Sequence, residues 1–245
     1  ALGLIQSAWA LGYASPAVVT MIVLPRWGWR AVFLVGILPA FLTLWVRARV
    51  EEPRIWREAP PRRGSIRAIF RDGLARLTIP LTIMNAFTLF GWWGFNLWLP
   101  GYLSLPASAG GMGFAPSTMS WFIIAMQVGM WFGYVTFGFI SDALGRKRTY
   151  VVYTTTAAVL ILAYISIRMP LALLLLGPFV AFFATGFFGG FGAVTAEIYP
   201  TEVRASAQGF TYNMGRITSA LAPFVVGSLA QQHGFQAALS LTSIA

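Results

Sequence analysis

The chain of 245 residues contains no cysteine, one histidine and one lysine. The absence of cysteine excludes disulfides, thiolate metal sites and cysteine nucleophiles. His233 cannot hold a metal ion alone, and its Gln-Gln-His-Gly setting reads as a solvated turn. Lys147 stands in a polar segment, which excludes a retinal-type Schiff base inside an apolar run. Acidic residues are scarce as well: there are seven, and none lies within an apolar run. No catalytic constellation can be assembled from such a set, so the chain reads as a non-enzyme without cofactor or metal. Ten-residue alternating segments are missing, which argues against a membrane barrel. No strand signal precedes Gly186, Gly189, Gly190 and Gly192, so they read as close helix packing and not as a phosphate loop.

What the sequence has is apolar length. It is 58% hydrophobic and 10% charged, with a mean hydropathy of +0.71. Runs of about 18–25 apolar residues match the hydrocarbon core of a bilayer. Eight such runs are read: 2–24, 30–47, 77–100, 117–140, 149–168, 171–195, 205–230 and 236 onward. Each must be helical, because lipid offers no partner to free backbone groups. The last run reaches only about half a bilayer before the sequence stops. With a start at Ala1 inside another run, this reads as a piece of a longer protein. The fold class is therefore all-α and integral to the membrane, with seven complete spans and a partial eighth.

The net charge of +10 invites a nucleic-acid reading, but its placement argues against one. Nine arginines lie in 47–76. Arg146, Lys147 and Arg148 follow the fourth run, and Arg204 follows the sixth. These thirteen fall on one side of the bilayer, while only Arg26, Arg30 and Arg168 fall on the other. The positive-inside rule then places 47–76, 140–149 and 196–204 in the cytoplasm of a cell whose inner membrane holds the protein. Residues 48–76 are the one long polar linker, where Glu51-Glu52-Pro53 and Ala59-Pro60-Pro61-Arg62-Arg63-Gly64 interrupt helix. Ser65 to Ala75 reads as a short basic segment lying on the lipid surface. The linker divides the chain into 1–47 and 77–245.

Two phrases carry the chemistry of the loops. Residues 138–147 have the form G-x-x-x-D-x-x-G-R-K, with Gly138, Asp142, Gly145, Arg146 and Lys147 in place. Two spans later comes Glu197-Ile-Tyr-Pro-Thr-Glu-Val-Arg204. In this order and spacing they resemble the signature loops of the major facilitator superfamily. Trp27-Gly-Trp-Arg30 and Glu51-Glu-Pro-Arg-Ile-Trp56 resemble the end of that family's first half. The resemblance implies a twelve-helix fold of two halves, of which this chain would hold helices five to eleven and the first turns of twelve. Within the superfamily, Tyr212-Asn-Met-Gly-Arg216 is similar to proton-coupled carriers of organic acids, including sialate and aromatic-acid symporters. A secondary transporter of small organic anions follows, with the proton as coupling ion and a monomer as working unit. A sugar or other neutral solute is a lesser alternative, and a seven-span sensor or receptor is the alternative from another class.

The resemblance also implies a latch, in which Asp142 faces the start of the helix near Glu202 and Arg146 meets Glu197. Gly138 would allow close backbone approach, and Gly145 the tight turn. Bottom-up, Arg216 lies twelve residues past Arg204, about 18 Å along a helix and near the bilayer midplane. A charge there is costly and faces a cavity or a partner. Guanidinium pairs bidentately with carboxylate, so Arg216, flanked by Tyr212 and Asn213, is the candidate substrate site. In the third run, Asn85, Thr88, Trp92 and Asn96 share one helical stripe. Asn85, Trp92, Asn96 and Gln127 are the further substrate-site candidates. No acid within the runs can take up a coupling proton, which places that group in the rest of the protein.

Overall fold

The computed structural model describes residues 2–51 and 65–244, and they are helical almost throughout. The helices are α1 (Leu2–Gln6), α2 (Ala8–Val35), α3 (Leu38–Arg49), α4 (Ala75–Ser104), α5 (Pro116–Leu144), α6 (Arg146–Ser166), α7 (Pro170–Gly186), α8 (Phe188–Ile198), α9 (Thr201–Ser219) and α10 (Ala222–Ile244). Short 3-10 turns occupy Ile66–Phe70 and Ala107–Ala109. The helix-breaking phrases read at 51–56 and 59–64 lie outside the described residues, apart from Glu51.

Glycine sets the helix breaks. Gly28 interrupts α2 at φ 74°, and Gly234 interrupts α10 at φ 84°, a region that side chains with a Cβ avoid. The first break separates the runs expected at 2–24 and 30–47; the second separates those at 205–230 and 236 onward. Gly145, at φ 87°, turns α5 directly into α6. Pro116 and Pro170 open α5 and α7, where a missing N–H costs nothing.

The core sits between α5 and α7, whose backbones touch. A Cβ on Gly129 would overlap the Pro178 carbonyl, and one on Gly133 would reach 2.5 Å from the Phe182 carbonyl oxygen. Gly186 and Gly190 likewise leave room for the rings of Tyr153 and Phe137. Small residues let helices approach in a membrane, where lipid supplies no hydrophobic drive for packing. Tyr153 and Phe137 meet edge-on at 5.1 Å, and around them the aromatic side chains of α6, α7 and α8 fill the interior.

Four stretches are long and apolar enough to cross a membrane: Leu2–Arg49, which holds two of the runs, Pro116–Leu144, Arg146–Ser166 and Pro170–Ile198. Ala75–Ser104 and Thr201–Ser219 fall short of that apolarity. They are the helices that carry Asn85, Asn96 and Arg216, which line cavities.

One expectation is extended and one is corrected. Residues 66–70 dock on protein through one face: Ile69 is fully buried with Leu81, Tyr199 and Ala207, and Phe70 meets Phe210 edge-on, while Ile66 stays exposed. Thr78 Oγ1 donates to the Ile69 carbonyl at 2.6 Å and lies 2.8 Å from the Tyr199 hydroxyl. Gly138 makes no close approach, since a Cβ there would meet nothing within 4 Å. Gly129 and Gly133, further back on α5, are the positions that do.

Candidate functional site

At one end of the bundle, Gly145 brings the first turn of α6 beside the last turn of α5. Arg146 thereby reaches two carboxylates. Its Nη1 donates to Asp142 Oδ1 at 2.6 Å and to Ser141 Oγ at 2.5 Å. Its Nη2 donates to Glu197 Oε1 at 2.7 Å, and Nε bridges both Glu197 oxygens at 3.2 Å. One guanidinium thus ties the α5–α6 corner to the end of α8. The group is partly exposed, so it contributes on the order of 1 kcal/mol or less to stability. Its value lies in specifying which helix ends meet. Arg204 stands apart: Nη2 donates to the Tyr199 carbonyl at 3.4 Å, and Nε is buried without a partner. Lys147 is exposed and joins no ion pair among the described residues.

A cavity of about 530 Å³ opens between α1, the start of α2, α4, α8 and α9. Arg216, Tyr212, Gln208 and Asn85 line it, with Gln6 and Trp9 from the first span and Phe188 and Thr195 from α8. Among the described residues no carboxylate pairs with Arg216. Asn85 is 2% exposed; its Nδ2 donates to the Leu81 carbonyl at 3.0 Å, which fixes the amide orientation and leaves Oδ1 without a partner. The cavity therefore presents a cation with aromatic walls, while Asn85 Oδ1 lies buried behind its surface. That set suits a small organic acid.

A second cavity of about 230 Å³ lies further along α4 and holds Asn96 and Gln127, with Tyr13, Thr20 and Ser120. Between the two is a gap of about 20 Å³ walled by Trp9, Tyr13, Trp92, Trp93, Tyr134 and Tyr212. Trp9 stacks on Tyr13 at 6.2 Å, and Tyr13 meets Trp93 at 6.3 Å. The expected substrate residues are therefore divided. Arg216, Tyr212 and Asn85 share one cavity, Asn96 and Gln127 another, and Trp92 stands at the partition. Asn213 lines neither; its amide donates to the Gly209 carbonyl at 2.7 Å. Thr88 turns toward a small space against α6 and α10.

Sequence reasoning missed Gln208, Gln6, Trp9 and Tyr13. Gln208 was accessible, since it sits four residues before Tyr212 and eight before Arg216 on one stripe. Gln6, Trp9, Tyr13 and Thr20 also recur at helical spacing, but in a run too apolar for that stripe to stand out.

Comparison with known proteins fits this architecture. The family model of the Major Facilitator Superfamily matches residues 81–245. The chain belongs to the major facilitator superfamily. A Haemophilus influenzae protein whose name assigns it only to metabolite transport is 32% identical over 247 residues, covering 96% of this chain and 60% of its own length. The cis,cis-muconate transport protein of Acinetobacter baylyi is 30% identical, covering 94% of this chain and 57% of its own. The sialic acid transporter of Escherichia coli is 27% identical, covering 89% and 53%. The chain thus spans about 60% of the length of such relatives, or less. Its apolar helices and its family make it a multi-pass membrane protein with a major facilitator fold.

Proposed function

We propose that the protein is a secondary active transporter that moves a small organic anion across the cytoplasmic membrane by alternating access, coupled to protons. The observation that carries this reading is Arg216, a cation on α9 that lines a cavity and has no carboxylate partner among the described residues. An isolated charge at such depth is costly, and an anionic ligand compensates it. Relatives named for muconate and sialic acid transport support an acidic substrate. The thirteen-to-three distribution of basic residues supports an orientation with the 48–76 linker and the Arg146 cluster in the cytoplasm. The Arg216 cavity then lies toward the cytoplasmic side and the Gln127 cavity toward the outside. Asp142, Arg146 and Glu197 act as the latch that holds one packing of the cytoplasmic ends, and the protein works as a monomer. Among the described residues no carboxylate lines either cavity, so the coupling proton in this reading is carried by a group other than those lining them.

The test is uptake by the full-length protein in proteoliposomes, with cis,cis-muconate, nicotinate and sialic acid as a probe panel. Accumulation driven by an inward proton gradient is the expected result. Arg216→Lys keeps the charge but loses the planar fork, so uptake affinity falls at least about tenfold while membrane insertion is preserved. Binding without accumulation would favour a sensor. Unchanged affinity in the Arg216→Lys protein would remove Arg216 from the site.

A further inference from the structure

The segment that docks at 66–70 has a second, outward face. Its backbone is fixed to the protein: Ile69 is fully buried, and Thr78 Oγ1 donates to the Ile69 carbonyl. From there the chain folds through close turns. The Arg71 N–H donates to the Ala68 carbonyl at 3.3 Å, and the Leu74 N–H to the Arg71 carbonyl at 2.9 Å. Arg67, Arg71 and Arg76 stand on this short frame, and all three are exposed. Asp72 is the one acid between 65 and 79, so three guanidiniums stand against a single carboxylate. Among the described residues no salt bridge takes up any of the three.

What lies beside those charges is apolar. Ile66 is 60% exposed, and Phe70 keeps 39% of its surface open although its ring meets Phe210. Directly after Arg76, Leu77 and Ile79 are exposed, and Ile79, Ile83 and Phe87 continue as an exposed stripe at four-residue spacing along α4. In a membrane protein an outward apolar stripe meets acyl chains, so Arg76 stands where the hydrocarbon ends and the headgroup layer begins. Ile69 packs with Tyr199, two residues from Glu197, which places this edge in the leaflet on the Arg146 side. A soluble acidic partner would pair with the arginines and leave Ile66 and Phe70 bare. A zwitterionic lipid would cover the apolar groups but bring its own cation with its phosphate. An anionic lipid serves both: acyl chains for the apolar side chains, and a phosphate without an ammonium for the guanidiniums.

We infer that residues 66–76 form a binding site for anionic phospholipid, in which Arg67, Arg71 and Arg76 take the headgroup phosphate and Ile66 and Phe70 rest against the acyl chains. Ile69 and Thr78 already hold the backbone, so binding has only side chains to order, which favours affinity. The site is separate from the Arg216 and Gln127 cavities, since none of these residues lines them.

Hydrogen exchange of the full-length protein in nanodiscs tests this, with phosphatidylcholine alone compared with phosphatidylcholine plus phosphatidylglycerol. Exchange of residues 66–76 is expected to slow several-fold when phosphatidylglycerol is present, because a ligand that binds the docked segment opposes its opening. In the triple variant Arg67→Gln, Arg71→Gln, Arg76→Gln the difference between the two lipids is expected to vanish. Unchanged exchange of α5 and α7 shows that this variant is folded. Arg47→Gln with Arg49→Gln removes two exposed arginines from the end of α3 and is expected to leave the difference in place. Equal exchange in both lipids would overturn the inference. So would an effect lost equally in the α3 variant, which would mean bulk surface charge. An effect reproduced in phosphatidylcholine discs by inorganic phosphate would mean a soluble anion and would overturn it too. Transport plays no part in this readout, so failure of the uptake assay would leave the lipid site standing.

Discussion

Gly129 lies against the carbonyl of Pro178 so closely that no side chain fits between them. The contact joins α5 to α7 at the centre of the bundle. Gly129→Val is expected to cost about 1–3 kcal/mol or to prevent folding, because backbone cannot yield as a flexible side chain can. Thermal unfolding in detergent measures it. Gly138→Ala, where a Cβ meets open space, is the control and leaves the midpoint unchanged.

The Arg146–Glu197 bond predicts a change in accessibility more than in stability. Glu197→Gln is expected to alter unfolding free energy by about 1 kcal/mol at most. The chain has no cysteine, so a single Ala205→Cys reports cleanly on the cavity mouth. Labelling of that cysteine from the cytoplasmic side is expected to rise several-fold in Glu197→Gln and in Asp142→Asn. Unchanged labelling in both would mean that the cluster ties helix ends without gating them.

The docked segment at 66–70 gives a third prediction. Ile69→Ala removes a fully buried side chain and is expected to cost about 2–5 kcal/mol locally. Thr78→Val breaks the bonds to the Ile69 carbonyl and the Tyr199 hydroxyl, at about 1–3 kcal/mol. Hydrogen exchange of residues 66–70 is expected to quicken in both variants. Protection that persists in both would show that Phe70 alone holds the segment.

Orientation is checked by single cysteines at Ser65 and Ser108, both on exposed turns. They are expected to react from opposite faces of the membrane, Ser65→Cys from the cytoplasm. Reaction from the same face would overturn the orientation and with it the placement of the two cavities.

Much of this was legible in the residues. Gly28 and Gly234 marked the helix breaks because each stands in a polar or aromatic stretch between apolar runs. Arg146 and Glu197 stood out because charge is rare here. The separation of Asn96 from Asn85 was implicit in eleven residues of helix, about 16 Å of rise, but a shared stripe was read as a shared site. The wall supplied by Gln6, Trp9 and Tyr13 was not legible: a helix apolar all round gives no contrast by which to tell lipid from a neighbour. The segment Ile66 to Phe70 was equally ambiguous, since alternating basic and apolar residues suit a lipid surface and a protein groove alike.

The break at Gly28 carries two exposed indoles, each with a guanidinium over it: Arg30 stands 4.6 Å from the centre of the Trp29 ring, and Arg26 6.0 Å from that of Trp27. Indole seeks the headgroup layer, and arginine seeks phosphate. Four such residues together make a waterline for the molecule. A thinner or thicker bilayer meets that mark by bending around it, by tilting the helices or by letting the long side chains snorkel.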